Sequence, residues 1–320
     1  MKTPFTKKYQ PKNLRDFHYD EDLTILLKGL MDMDRLNLLL IGNSGSGKTS
    51  TLQAIIREYY GPNADIGDNI LSINSLQEQG ISYYRNEVKI FCQTASCIPG
   101  KKKILLLDDT DVINEQSQQV FRNCIDKYSH NVSFLASCSN TQKVIESLQS
   151  RMDIVRLKTP GKSQLKSIAS RVIESEGIVL GEGVMDFIVR VCNGSVRILV
   201  NFLEKFKLIG LPIDLDTASI ACTNISFSEL ETYTQLCKTP DGLCGAIRVI
   251  DTLIAKGYSV TDILDSYFAF VKITDILTED EKYSIIPILC RFIAVFYNVH
   301  EDDIELKFFT NTLHSLLAPK

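Results

Sequence analysis

Short apolar segments alternate with longer amphipathic segments through the first half of the chain. The apolar segments predict buried strands, and the helical periodicity between them predicts helices. The predicted strands are residues 36–41, 70–74, 103–107, 132–137 and 153–157. Strands that alternate with helices are typical of a parallel sheet with helices on both faces, so the first half predicts an α/β fold.

The second half carries helical periodicity only. Thr159, Pro160 and Gly161 interrupt the earlier pattern and predict a linker. Gly257 is the expected C-terminal cap of the first of four late helices. These helices are predicted over residues 243–256, 260–273, 279–298 and 304–317. A chain of 320 residues exceeds one ordinary core. We therefore predict an α/β domain over residues 1–160, a small helical domain over 161–222 and an all-α domain over 223–320.

Composition narrows the function classes. Apolar residues make up 44% and charged residues 23%, which is typical of a globular protein. A net charge of −4 argues against broad coating of nucleic acid but permits a local basic track. No apolar run approaches the roughly 20 residues that span a bilayer. The nine cysteines form no C-x-x-C pair, which favours reduced thiols in an intracellular protein.

The sequence after the first predicted strand fits the phosphate-binding motif G-x-x-x-x-G-K-[ST]. The motif lies between a strand and a helix predicted over residues 50–60, which is the setting that it needs. Glycines let main-chain N–H groups surround a phosphate, and the helix start adds partial positive charge. Lys48 is expected to reach the β- and γ-phosphates of ATP, and Thr49 to hold Mg²⁺. The candidate nucleotide ligands are Gly42, Asn43, Ser44, Gly45, Ser46, Gly47, Lys48, Thr49 and Ser50. The alternative is a Gly/Ser-rich turn that contains a lysine by chance.

Two aspartates follow the third predicted strand and suggest the second half of a nucleotide site. Asp108 emerges at the carboxyl end of the strand, where ligands bind in open α/β sheets. Asp108 is expected to orient Mg²⁺, and Asp109 to act as the base or to position the attacking water. The alternative is an ordinary buried strand that ends in an acidic turn.

Several segments, taken in order, resemble the small subunits of the replication factor C clamp loader, a branch of the AAA+ ATPases. They include K-Y-Q-P-K-N-L at 8–14, D-D-T-D at 108–111, Q-Q-V-F-R at 118–122 and L-Q-S-R-M at 148–152. Residues 74–81 with 85–89, N-G-S-V-R at 193–197 and K-G-Y-S at 256–259 complete the set. The resemblance covers residues 5 to about 265 and implies an AAA+ domain, a helical lid and a C-terminal helical collar.

The resemblance implies roles for two arginines. Arg151 stands at the position of an arginine finger, which acts on ATP held by the neighbouring subunit. Arg197 stands at the sensor-2 position, where an arginine reaches from the lid to the γ-phosphate of its own subunit. The alternatives are an exposed arginine in a salt bridge for Arg151 and a surface charge near a helix start for Arg197.

The remaining site positions are less direct. Either Ser139 or Asn140 stands at the sensor-1 position, since both side chains can bond the attacking water or the γ-phosphate. Asp109 replaces the family's glutamate and is one methylene shorter, so we predict ATP binding with weakened hydrolysis. Gln10 replaces an arginine near the expected edge of the nucleotide.

The resemblance also implies macromolecular partners: other clamp-loader subunits, a PCNA-like sliding clamp and primer–template DNA, with no membrane. Arg85 and Lys89 lie four residues apart on one predicted helix face and are the expected DNA-phosphate contacts, the alternative being a solvated charged face. Residues 101–103, three lysines, are expected to be a solvated strand entry. Ile98 is a candidate apolar anchor on the clamp.

The resulting hypothesis is an ATP-dependent clamp-loader subunit that helps place a sliding clamp on primed DNA. It would be intracellular, in the nucleus of a cellular eukaryote or at a site of viral DNA replication. Two alternatives stay open: a scaffold subunit that binds ATP but hydrolyses it weakly, and another AAA+ DNA-processing motor.

Overall fold

Five parallel strands form a single sheet in the order β2-β3-β4-β1-β5. The strands are β1 (Leu38–Ile41), β2 (Ile70–Asn74), β3 (Lys103–Asp108), β4 (Val132–Cys138) and β5 (Asp153–Arg156). Each lies within two residues of its predicted bounds. The predicted parallel sheet is therefore confirmed. The order of the strands within it could not be predicted from the periodicity and comes from the structure.

The structure is a computed structural model that describes residues 3–17, 19–61, 67–74, 81–222, 225–298 and 302–318. Residues 75–80, which carry part of the family resemblance, lie outside the described residues.

Helices surround and follow the sheet. They are α1 (Phe5–Lys8), α2 (Glu21–Asp32), α3 (Lys48–Tyr60), α4 (Ile81–Gln93), α5 (Glu115–Tyr128), α6 (Glu146–Gln149), α7 (Lys162–Glu176), α8 (Val184–Val191), α9 (Val196–Ile209), α10 (Leu215–Cys222), α11 (Phe227–Lys238), α12 (Leu243–Ala255), α13 (Val260–Ile273), α14 (Glu279–Asn298) and α15 (Asp303–Leu317). Helix α3 begins two residues before the predicted start at Ser50, so Lys48 and Thr49 belong to its first turn. Across the described helices, none has the length and apolar content needed to cross a membrane.

Successive residues of the central strands feed two separate cores. Leu105 and Leu107 pack in the core that includes Val88 of α4 and Phe121 of α5. Their neighbour Leu106 packs in the core that includes residues of α2 and α3. Alternate side chains of a strand point to opposite faces, so a strand that is apolar throughout requires cover on both sides. The helices on both faces supply that cover.

The chain divides into two compact units, and the division is not contiguous in sequence. One unit, which we call the nucleotide body, is Met1–Val172 with Gly194–Glu204; the other is Ile173–Asn193 with Lys205–Lys320. The predicted linker at residues 159–161 is non-helical and lies between β5 and α7. The predicted three-domain division at residues 160 and 222 stays a prediction.

The second unit has its own helical core with its polar groups paired. Tyr233 is buried against the edge of Tyr267, and its hydroxyl lies 3.0 Å from Thr310 Oγ1. Tyr267 in turn reaches Thr234 Oγ1 at 3.2 Å. Gly257 has φ +92 and comes directly after Lys256, the residue that follows α12, so it ends this helix in the left-handed conformation as predicted. Buried tyrosines with hydroxyl partners stabilise one specific packing of this core.

Candidate functional site

The loop between β1 and α3 is built around glycines in the left-handed backbone region. The φ angles are +76 at Gly45 and +96 at Gly47, and Gly47 directly precedes α3. A Cβ atom at Gly45 would lie 2.1 Å from Ser195 Oγ, so a side chain there would displace Ser195 as well as strain the backbone. The hydroxyl of Ser46 is buried and has no hydrogen-bond partner among the described residues. A glycine loop at a helix start, with an unpaired hydroxyl inside it, fits a phosphate group.

The ammonium group of Lys48 lies inside this loop. The side chain is buried, and Nζ donates to the main-chain oxygens of Gly42 at 2.8 Å and Asn43 at 3.2 Å. It also donates to Ser139 Oγ at 3.0 Å. Strands β1 and β4 are neighbours in the sheet, which brings the loop after β1 beside the segment after β4. Lys48 thus joins two predicted parts of the site and places a positive charge where the phosphates are expected.

Asp108 connects the second half of the site to the first. Thr49 Oγ1 donates to the Asp108 carboxylate at 2.9 and 3.1 Å, and Ser137 Oγ donates to Asp108 Oδ1 at 2.6 Å. Sequence analysis missed Ser137, because its partner Asp108 lies on the neighbouring strand β3 and the order of strands in the sheet comes only from the structure. A hydroxyl and a carboxylate held together are ligands that Mg²⁺ takes beside phosphates, so Thr49 and Asp108 fit the metal.

Asp109 has a strained backbone and a perturbed carboxyl group. Its φ is +50, a region where aspartate is several-fold commoner than most residues, and its N–H donates to Ser137 Oγ at 3.0 Å. Burial, and then the charge of Asp108, raise the pKa of Asp109, while Lys48 and Arg197 oppose the rise. A carboxyl group with a raised pKa beside a phosphate cradle suits proton transfer.

The raised pKa predicts an acid-sensitive reaction. If Asp109 acts as the base, it must be ionised, so turnover falls as the pH drops through its raised folded-state pKa. This loss begins at a higher pH than an ordinary aspartate would give. We expect this acidic limb of the pH–kcat profile to disappear in Asp109→Asn, which has no carboxyl group at position 109 to titrate. An unchanged limb in that variant would assign it to another group.

The structure separates the two sensor-1 candidates. The Ser139 hydroxyl contacts Lys48, whereas Asn140 Oδ1 accepts the N–H of Gln142 at 2.9 Å and caps a short turn. The N–H groups of both candidates donate to Asp111 Oδ2, at 3.2 and 3.0 Å. These contacts favour Ser139 as the sensor, with Asn140 shaping the turn. The sensor assignment stays a prediction.

A buried glutamine joins the segments that carry these residues. Gln118 Nε2 lies within hydrogen-bond distance of the carbonyl oxygens of Thr110, Ile113 and Lys143, at 3.3, 2.8 and 2.9 Å. Its Oε1 accepts the N–H of Ile145 at 2.9 Å. The side chain is fully buried, so it ties the turn after Asp109 to the turn after Asn140. Sequence analysis noted Gln118 only as part of a motif, since its bonding cannot be inferred from spacing.

A cavity of about 1130 Å³ in the nucleotide body lies beside residues 45–47 of the glycine loop and the two aspartates. Its lining includes the glycine loop, Asp108, Asp109, Arg197 at the start of α9, and Gln10 from the N-terminal segment. Gln10 Nε2 donates to Gln53 Oε1 at 2.7 Å and to Ser50 Oγ at 3.3 Å. The N-terminal segment and Arg197 therefore share one cavity with the predicted phosphate site, which is large enough for a nucleotide.

Arg151 is absent from the described lining of this cavity. Its Nε donates to Asp126 Oδ1 at 2.5 Å, and its Nη1 donates to the Ser147 carbonyl oxygen at 2.7 Å. Asp126 also lies 3.6 Å from Arg122 Nη2. The hydrogen bond from Arg151 holds the pKa of Asp126 below its usual range. Arg151 is thus fixed by its own chain outside its own nucleotide cavity.

The predicted nucleic-acid and clamp residues have different surroundings. Arg85 and Lys89 are both exposed on α4, as expected for backbone contacts. Ile98 is half-buried and packs against the nucleotide body's core, which leaves little of it to anchor a clamp.

The expectation that the lysine run is solvated is wrong for its last member. Lys103 is buried, its ammonium lies 4.4 Å from the centre of the Phe91 ring, and it donates to Thr94 Oγ1 at 2.5 Å. Lys101 lies over the Tyr59 ring, and Lys102 donates to the main chain of Asp34. These lysines stabilise the entry to β3 through internal contacts.

Comparisons with known proteins agree with this geometry. A sequence model of the "ATPase family associated with various cellular activities (AAA)" matches residues 38–159. The replication factor C small subunit of Methanocella arvoryzae is 28% identical over 265 residues, which are 82% of this chain and 82% of that relative. The replication factor C small subunit of Methanoculleus marisnigri is 30% identical over 67% of this chain and 66% of its own length. A putative replication factor C small subunit of Acanthamoeba polyphaga mimivirus is 26% identical over 89% and 88%.

Solved structures agree on the fold alone. A point mutant of RuvB from Thermotoga maritima superposes with a TM-score of 0.55 at 16% identity, over 82% of this chain and 90% of that one. Domain III of DnaA from Thermotoga maritima gives 0.51 at 22% identity, over 68% and 97%.

The glycine loop, the paired aspartates and the five-stranded parallel sheet, with the matching family model, define the chain as an AAA ATPase. Nucleotide binding follows from that class. Within it, the relatives decide the branch: the chain belongs to the replication factor C small subunits.

Proposed function

We propose that this chain is an ATP-driven subunit of a multi-subunit clamp loader, which opens a PCNA-like sliding clamp and places it on primed DNA during replication. The observation that carries the proposal is the assembled nucleotide site, in which Lys48 meets Ser139 and Thr49 meets Asp108, in a chain of the replication factor C small-subunit family. The fold alone does not distinguish this function from other AAA ATPases.

Particular residues would hold each part of the nucleotide. Main-chain N–H groups from Gly45 to Lys48 would surround the phosphates, and the Lys48 ammonium would turn from its carbonyl partners to the β- and γ-phosphates. Thr49 and Asp108 would hold Mg²⁺, which supplies positive charge on the phosphate oxygens when bound.

Hydrolysis then depends on groups that face the γ-phosphate. Asp109 would accept a proton from the attacking water or orient it, and Ser139 would hold the water or the γ-phosphate. Arg197 would sense the γ-phosphate from α9. Since Arg151 is held outside its own cavity, it would supply its guanidinium to ATP on a neighbouring subunit.

A steady-state ATPase assay of the complex that contains this chain tests the proposal. We expect turnover to rise when a sliding clamp and primed DNA are added together. ATP binding without such stimulation would favour the scaffold alternative. Assembly of the chain alone into a closed ring, without a clamp, would favour a different AAA motor.

Replacing the short catalytic acid should speed the reaction. Asp109→Glu restores the reach of the family's side chain, and a misplacement of about 1 Å can cost roughly 100-fold in rate. We expect kcat of the assembled complex to rise at least about tenfold on that basis, with the Kd for ATP unchanged. Asp153→Glu, at an exposed position of β5, serves as a control for the added methylene. If Asp109→Glu leaves kcat unchanged, the weak-hydrolysis proposal is wrong.

DNA contact should depend on the exposed face of α4. Reversing the charges of Arg85 and Lys89 removes two cations from a phosphate-tracking surface. We expect weaker DNA-stimulated hydrolysis and a shallower dependence of DNA affinity on salt, by about two units of log–log slope. Charge reversal of Lys127 on α5 is the matched control. A salt slope equal to that of the unmodified complex would exclude this face from the DNA track.

A further inference from the structure

The side chain of Arg151 is held by three acceptors of its own chain. Nε donates to Asp126 Oδ1 at 2.5 Å, and Nη1 reaches the Ser147 carbonyl oxygen at 2.7 Å and Ser150 Oγ at 3.3 Å. These bonds occupy Nε and Nη1 and do not use Nη2. The guanidinium plane is therefore fixed, while Nη2 takes no part in these three bonds.

The carboxylate that holds Arg151 serves two arginines. Asp126 Oδ1 accepts from Arg151, and Oδ2 lies 3.6 Å from Nη2 of Arg122, one turn earlier on α5. Two guanidinium groups and one carboxylate leave a net charge of about +1 on the cluster, since arginine stays protonated in proteins. The bond to Asp126 thus orients Arg151 without cancelling the positive charge that a phosphate would need. An ordinary aspartate is already ionised at neutral pH, and the bond from Arg151 lowers the pKa of Asp126 further.

Stability does not account for this arrangement. The Arg151 and Asp126 side chains are 29% and 40% exposed, and ion pairs at that exposure add little to folding because solvent screens them. Holding a long arginine in one rotamer has an entropic cost. The bond to Asp126 restricts the Arg151 side chain but adds little to the stability of the fold. Such a contact suits a role in which the guanidinium must be in position before it meets its ligand.

We propose that Asp126 is a positioning residue that pre-organises Arg151 for ATP bound by the neighbouring subunit. This inference rests on the proposed action of Arg151 in trans. An arginine ordered before the subunits meet loses less freedom when it reaches the developing charge on the γ-phosphate.

Turnover of the assembled complex tests the proposal through four single variants: Asp126→Ala, Asp126→Asn, Asp126→Glu and Arg151→Ala. We expect kcat to fall roughly 30- to 100-fold in D126A, because a displaced catalytic group can lose about 100-fold. D126N, which keeps an acceptor, should lose less, and D126E should recover most of the rate. The KM for ATP should not change. Glu115→Gln, on the exposed start of the same helix, is the matched control and should leave kcat unchanged.

The decisive measurement is the double variant. If Asp126 acts through Arg151, adding D126A to R151A should cause no further loss, since the two residues then act as one unit. A further loss in the double variant, or an increase of kcat in D126A alone, would overturn the proposal. Wild-type turnover in R151A would instead overturn the trans role on which it rests.

Nitrogen-15 NMR of the isolated chain provides a readout that is independent of hydrolysis. The Nε–H signal of Arg151 should be resolved and slow to exchange in the wild type, and broadened or lost in D126A with the fold intact. An Arg151 signal that is equally mobile in both would overturn the positioning role even if D126A lowers turnover.

Discussion

Lys48→Ala should abolish productive ATP binding while leaving the chain folded. The ammonium now satisfies Gly42, Asn43 and Ser139, and in the nucleotide complex it would bond two phosphates. Hydrogen bonds to charged groups contribute about 1.5–3 kcal/mol each, so losing two costs about 3–6 kcal/mol. Since about 1.4 kcal/mol is a factor of ten, ATP affinity should fall by roughly 10²- to 10⁴-fold.

Thermal unfolding with and without ATP measures this effect directly. ATP at 100 times its Kd stabilises the wild type by about 2.7 kcal/mol, and this shift should vanish in the variant. Lys101→Ala is the matched control, because Lys101 lies over the Tyr59 ring away from the loop. A variant that keeps the ATP-dependent shift would place the phosphates elsewhere.

Arg151→Ala should produce the largest loss of turnover without any loss of ATP binding. Arginine fingers contribute about 10³ to 10⁵ in kcat to phosphoryl transfer, because they place positive charge where the transition state develops negative charge. Arg151 does not line its own cavity, so the Kd for ATP of the isolated chain should equal that of the wild type. The effect should appear only in the assembled complex.

Two controls separate trans action from general damage. Arg190→Ala removes an exposed arginine from α8 and should change neither kcat nor the Kd for ATP. Mixing R151A subunits with K48A subunits tests whether the arginine acts between subunits, when the two variants can occupy neighbouring positions. R151A subunits still bind ATP but lack the arginine, whereas K48A subunits keep the arginine but do not bind ATP. Partial recovery of turnover in the mixture supports transfer between subunits. An equal loss of ATP binding in isolated R151A chains would show that the arginine acts within its own subunit.

The sequence predicted the site well where a motif fixes the local backbone. The glycine loop, Asp108 and the strand ends follow from short-range pattern, and the structure brings them together as a parallel sheet requires. Ser137 was missed because its partner is a neighbour in the sheet, and strand order cannot be read from apolar periodicity. The prediction for Lys103 was wrong because a lysine in a charged run is expected to be solvated. In the structure its ammonium group contacts Phe91 and Thr94 instead.

Contacts between segments that are distant in sequence were equally inaccessible. The bond from Arg151 to Asp126 joins α5 to the segment after α6, and no spacing rule indicates it. The left-handed backbone of Asp109 could not be predicted from the sequence either, although it is relevant to the replacement of the family's glutamate by aspartate at this position. Aspartate adopts that backbone conformation at a lower cost than glutamate does. The shorter side chain therefore fits the turn more easily but extends less far towards the nucleotide.

The discontinuous nucleotide body limits how this ATPase can be dissected. The chain leaves the body at Val172, returns for Gly194–Glu204 and then departs again. The returning segment places Ser195 against Gly45, and Glu204 accepts the N–H of Phe5 at 3.2 Å. A fragment cut at residue 172 would therefore keep every strand and the whole phosphate loop, yet would lose one wall of the cavity and Arg197 with it. Proteolysis between α7 and α9 should disable nucleotide sensing even where the sheet survives intact.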